Sequence, residues 1–129
     1  MVRSFFFGII ALLSWACSPA QETSKTSARL AHDSLDSTKY ELIITDIYFD
    51  QWYLLHFDPS KDHLNEYYHA KNLMAVQKWN DYYRTGQYMQ VIDSYIDYQP
   101  DIEYGIELNR RLYWYFKYVT TEFRIHLFL

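Results

Sequence analysis

Cysteine is almost absent from this chain: Cys17 is the only one in 129 residues. That excludes a disulfide framework and a cysteine-built zinc site, which need several thiols at short spacings. Glycine is nearly as scarce, with three residues, and they form no glycine-rich phosphate loop. There is no run of Lys or Arg, and the formal net charge of −4 has the wrong sign for neutralising phosphates, so no nucleic-acid partner is expected. No apolar run reaches the roughly 20 residues that a membrane-spanning helix needs. Rings, by contrast, are abundant. Aromatic residues make up 20% of the chain, too many for a disordered polymer. The length suits one small domain.

Residues 1–17, MVRSFFFGIIALLSWAC, place Arg3 ahead of an apolar stretch from Phe5 to Leu13, then small or apolar residues up to Cys17. This is the layout of an export signal. Leu12-Leu13-Ser14-Trp15-Ala16-Cys17 resembles the lipobox of bacterial lipoproteins, whose Cys takes a diacylglyceryl group and becomes the mature N-terminus. Ser14 and Trp15 depart from the stricter pattern, and the alternative is a cut after Ser18-Pro19-Ala20 that leaves a secreted chain without cysteine. The only Cys lies where lipid attachment requires one. Residues 1–16 are therefore read as a lipoprotein signal peptide, Cys17 as the lipidation site, and the membrane as a partner through that lipid. Residues 18–38 hold no Phe, Trp or Tyr and are rich in Ser, Thr and Ala, so they bury too little apolar surface to offset their ordering entropy. The stretch 17–38 reads as a lipidated Cys with a disordered tether of about 20 residues, reaching about 25 Å.

From Lys39 the composition changes: residues 39–129 hold 22 of the 26 aromatics and read as a single Tyr-rich domain. Tyr40 to Asp46, YELIITD, suits a strand buried on both faces or nearly so. Tyr88 to Tyr98 partly alternates, with Ile92, Ile96 and Tyr98 on one side and Asp93 and Asp97 on the other, and reads as the partner strand. Between them a helix is predicted from the Asp58-Pro59-Ser60 start to Gly86. Its apolar stripe is Leu64, Tyr68, Ala75, Trp79 and Tyr82, opposite Asp62, Glu66, Gln77, Asn80 and Arg84. A second helix is predicted from Ile102 or Ile106 to near His126, with Gly105 a weak point in its first turns. Leu108, Leu112, Tyr115, Phe116, Val119 and Phe123 form its main face. Trp114, Tyr118 and Ile125 form a stripe well away from it. The helix is thus either central and packed on two sides, or it exposes an aromatic patch. Residues 46–57 fit a loop or a short helix equally. The expected class is α+β: a two- or three-stranded sheet, parallel or antiparallel, packed with two amphipathic helices.

The succession YELIITD, YYHAKN…VQKWN and YIDYQPDIEYGIELNRRLYWYF resembles a family of short lipoproteins of Gram-negative bacteria without a characterised function. The resemblance implies a lipid-anchored α+β domain of the cell envelope, in the outer membrane, and carries no catalytic residue.

The candidate chemistry is thin. Glu66 and His69 form one Glu-x-x-His, where a di-iron bundle uses two with further carboxylates; His63 and His69 are not at the i, i+4 spacing of a helical zinc site. Both read as solvated residues of a polar helix face. Asp93, Asp97, Asp101 and Glu103 are dense enough to suggest Ca²⁺, but Ile102 and Leu108 stand where an EF-hand needs Gly and Glu. Asp101 and Glu103 better serve a helix start. Ser60 and Ser94 sit in no nucleophile elbow. No metal, no cofactor and no catalytic residue are therefore assigned. Two functions fit. The first is a non-enzymatic, lipid-anchored envelope protein that meets a protein partner through Trp114, Tyr118 and Ile125. The alternative is an envelope glycan-binding module using ring stacking and the Asp93–Glu103 acids.

Overall fold

The computed structural model describes residues 27–33, 35–36 and 38–128. The signal segment, Cys17 and the first part of the expected tether lie outside the described residues. The architecture is α+β. Strands β1 (Ala28–His32) and β2 (Tyr40–Ile44) form an antiparallel hairpin, followed by helices α1 (Phe49–His56), α2 (Asn65–Thr85) and α3 (Ile106–Phe123).

The partner of β2 is not the 88–98 stretch but β1, inside the segment read as a tether. Ala28 faces Ile44, Leu30 faces Leu42 and His32 faces Tyr40 across the hairpin. The turn between the strands is held by Asp33 and Asp36, whose carboxylates accept from the backbone N–H of Leu35 and Thr38 at 2.8 and 3.0 Å. Such side-chain turns are what Asp offers between strands. Folded structure thus begins upstream of Lys39. Only one sheet face is covered: Ala28, Leu30, Leu42 and Ile44 join the core while Glu41 on the other face is exposed.

Residues 88–91 continue the turn after α2, where the N–H groups of Val91 and Ile92 both donate to the Tyr88 carbonyl at 2.8 Å, and residues 92–98 follow without a strand ladder. Their backbone groups bond to side chains instead. Trp79 Nε1 donates to the Ser94 carbonyl at 2.7 Å, and Asn80 both donates to the Ile96 carbonyl and accepts from its N–H, each at 2.9 Å. One amide therefore does for Ile96 what a neighbouring strand would do. The expected alternation survives, with Ile92, Ile96 and Tyr98 buried and Asp93 and Asp97 exposed. Asn80, assigned to the solvent face of its helix, is buried for this purpose.

Asp58-Pro59-Ser60 starts a short 3₁₀ turn rather than the long helix: the Asp58 carboxylate accepts from Ser60 N–H at 3.0 Å, and the chain is extended again at Asp62 and Leu64. Helix α2 begins only at Asn65. Leu64, expected in its apolar stripe, is therefore 76% exposed. The helix ends as predicted at Gly86, whose φ of 70° is the left-handed conformation glycine adopts without a steric penalty. Gly105, at φ 85°, precedes α3 rather than weakening it from within.

Helix α3 is the hub. Asn72 meets Asn109, Trp79 meets Phe116 and Tyr82 reaches the His126 carbonyl, so α2 and α3 run side by side in the same direction. On the opposite flank α1 crosses α3, stacking Phe49 edge-on to Tyr115 at 5.4 Å and Trp52 edge-on to Tyr118 at the same separation. Helices α1 and α2 share no contact with each other.

Candidate functional site

The packing of α1 decides the fate of the expected aromatic patch. Tyr118 and Ile125 are buried, and Trp114 is enclosed by Trp52, Tyr53 and Phe57, with ring centroids 5.8–6.2 Å apart. The three do not form an exposed patch. Trp114 and Tyr118 form the second packed side of a central helix, covered by the stretch 46–57, which folds as α1; Ile125 lies past the end of α3, which stops at Phe123 rather than near His126, and is buried beside the 86–91 turn. Tyr118 is fixed further by its hydroxyl, which donates to the buried Asp46 carboxylate at 2.8 Å; Asp46 also accepts from Tyr48 N–H at 2.8 Å. Burial, followed by the bond to Asp46, pushes the Tyr118 phenol above its ordinary range. Burial does the same to Tyr115, Tyr98 and Tyr113. These phenols keep their protons at neutral pH; Tyr98 donates to Asn109 and Tyr118 to Asp46, while the buried Tyr115 hydroxyl has no partner among the described residues.

Displacing the patch inward leaves two troughs on the surface. One, of about 520 Å³, lies between α1 and the end of α3 and is lined by Tyr48, Gln51, Trp52, Leu55, Glu122 and Phe123 over Tyr118. The other, of about 450 Å³, lies between the 86–91 turn and the end of α3, with Tyr88, Met89, Val91 and Phe123 over Ile125. Phe123 separates and joins them. Tyr118 and Ile125 therefore belong to the floors, while the exposed rims are Tyr48, Leu55, Met89 and Phe123. Residue pattern conceals these rims: Phe123 falls on the main apolar face of α3, 46–57 fits a loop or a short helix, and 88–91 reads as the start of a strand. The second trough has an additional mark: Tyr88 and Arg124, on its two sides, are the non-glycine residues at positive φ among the described residues, each at 56°. At Arg124 this is the left-handed residue that ends α3, as Gly86 ends α2.

The polar candidates resolve differently. His69 is not solvated: its Nδ1 pairs with the Tyr98 hydroxyl at 2.8 Å and its Nε2 with the Pro100 carbonyl at 3.1 Å. Glu66 stays exposed and the pair makes no joint site. Glu103 accepts from Asn65 Nδ2 at 2.9 Å and Gly105 N–H at 3.1 Å, the helix-start role expected of it. These bonds hold its carboxyl below the usual range. Asp97 accepts from Gln99, and neither Asp93 nor Asp97 lines either trough. Asp62 pairs with Arg110 and accepts from Tyr68, and the Arg110 bonds in first place lower its carboxyl. The hydroxyl of Ser94 donates to the Ala28 carbonyl and that of Ser60 to Asp58. Among the described residues no three His, Cys, Asp or Glu side chains gather to hold a metal, and no helix is long and apolar enough to cross a membrane.

A family model described as a family of unknown function, DUF6146, matches residues 5–128, and the chain belongs to that family. No curated protein and no solved structure matches it.

Proposed function

We propose that this member of the DUF6146 family is a non-enzymatic, lipid-anchored protein of the cell envelope that engages a protein partner through its aromatic surface. The observation that carries the reading is the Met89–Phe123 trough. It combines an apolar rim, ring and thioether side chains, and a floor fixed by buried Ile125. Protein interfaces favour aromatic residues and Met at an apolar centre, and Met adapts to varied partner shapes. A glycan site would set carboxylates beside the rings, and no Asp or Glu lines this trough. The anchor is supported by the export-signal layout and by the position of the lone Cys17. A photo-crosslinking residue at Met89 in the full chain in cells is expected to trap a discrete protein, lost on Phe123→Ala. Equal, diffuse labelling from Met89 and from exposed Gln77 rules the trough out. Fatty-acid labelling that persists in Cys17→Ala rules out the anchor.

A further inference from the structure

The point at which the chain enters the domain lies beside an exposed apolar face. The Ser27 carbonyl accepts from Thr45 N–H at 3.0 Å, and the Ser27 hydroxyl lies 3.3 Å from that of Ser94. Thr45 leads within two residues to Ile47, 73% exposed, and then to exposed Tyr48. The face continues along the outer side of α1, where Leu54 and Leu55 are 80% and 76% exposed. Helix α1 buries Phe49, Trp52 and Tyr53 toward α3, so two adjacent leucines on its far side serve no packing inside the domain. The charges nearby are committed: Asp50 pairs with Arg111, and Glu122 accepts from Trp52 Nε1 at 2.9 Å.

We infer that this face, Ile47, Tyr48, Leu54 and Leu55, rests on the surface of the bilayer; the inference rests on the lipid at Cys17. About ten residue steps separate Cys17 from Ser27, and whatever their path they span at most about 35 Å. A lipid at Cys17 thus keeps Ser27, and the apolar residues next to it, close to the headgroups at an effective concentration on the order of millimolar. Tyr and Trp settle at that depth, and leucines of an amphipathic helix insert just below it. An isolated face of this size with no cluster of Lys or Arg binds anionic lipid weakly, so the tether and the face act together. The Met89–Phe123 trough adjoins this face through Phe123, which places a protein partner at membrane level.

The test uses the lipidated full chain purified from membranes and reconstituted in vesicles of phosphatidylethanolamine and phosphatidylglycerol. Because lipid occupies the native thiol, Ile47→Cys, Leu55→Cys or Gln77→Cys each supplies one site for a nitroxide. Gln77 lies on α2, on the opposite flank of α3. Accessibility to oxygen is expected to be several-fold higher at positions 47 and 55 than at 77, with the reverse order for a water-soluble nickel chelate. Leu54→Glu with Leu55→Glu is expected to return position 47 to aqueous values while the lipid stays on Cys17. Aqueous values at 47 and 55 in a chain whose mass shows the lipid overturn the membrane face and leave the anchor standing. A mass without lipid overturns both. A discrete protein adduct from a photo-crosslinker at Leu55 in cells assigns the face to a protein and overturns the inference.

Discussion

The two flanks of α3 are built by different chemistry. Toward α2 and the 94–105 segment, buried amides link the elements. Asn72 donates to the Asn109 carbonyl, Asn109 to Asn65, Tyr98 to Asn109, and Asn80 holds both groups of Ile96. Each bond is directional, and each polar atom is costly to leave unpaired. Toward α1 the contacts are mostly rings, joined by the buried Asp46–Tyr118 hydrogen bond, with the Asp50–Arg111 pair at the margin. Ring contacts tolerate small shifts, and α1 presents unpartnered leucines outward. The amide flank fixes geometry. The ring flank mounts a surface.

The comparison breaks most easily at the centre of the amide flank. Trp79→Ala removes a fully buried ring and its bond to the Ser94 carbonyl, with an expected loss of about 3–5 kcal/mol in denaturant unfolding. A loss below 1 kcal/mol would show that the 94–98 segment repacks freely. Asn80→Leu keeps approximate volume but strands the N–H and carbonyl of Ile96, with an expected loss of about 2–3 kcal/mol. If the loss is negligible, the side chain is not standing in for a strand.

Alkaline pH acts on both flanks. Burial raises Tyr98 and Tyr113 near α2, Tyr118 against α1, and Tyr115 between them. Below about pH 10 these phenols are neutral in the folded and unfolded chains alike; above it the unfolded chain loses protons that the folded one retains, so stability falls as pH rises. Melting temperature is expected to drop above pH 10, and Tyr118→Phe should make that drop shallower. An unchanged slope in the variant would place its hydroxyl in contact with solvent. The smallest effect belongs to the outer side of α1: Leu54→Ser with Leu55→Ser should change stability by no more than about 0.5 kcal/mol. A larger loss would make those leucines part of the core.

Much of the amide flank was legible in the residue pattern. The α2 stripe of Tyr68, Ala75 and Trp79, the stop at Gly86, and the main α3 face of Leu112, Tyr115, Phe116 and Val119 follow from periodicity alone, since a buried helix face repeats its apolar side chains. Asn80 was illegible because an amide that replaces a strand looks the same in sequence as one facing water. Strand β1 was hidden by its composition: Ala28, Leu30 and Ala31 carry little apolar weight, and the Asp33 and Asp36 turn chemistry went unused. The candidate surface was half legible. Helical spacing singles out Tyr118 and Ile125, the floors of the two troughs, but their cover and rims come from α1, whose mixed pattern fits a loop or a helix, and from the 86–91 turn, most of which reads as the start of a strand.

The dependence of every element on α3 has a consequence for the order of events during synthesis. Helices α1 and α2 are made first and do not touch, and the hairpin's helix contacts are with α3. A growing chain that has not yet released residues 106–123 has no hydrophobic centre on which its earlier pieces can assemble. Side chains from opposite ends of the domain, such as Asp46 and Tyr118, must wait for one another. Assembly of the hairpin, α1 and α2 into one body therefore waits until residues 106–123 have been made.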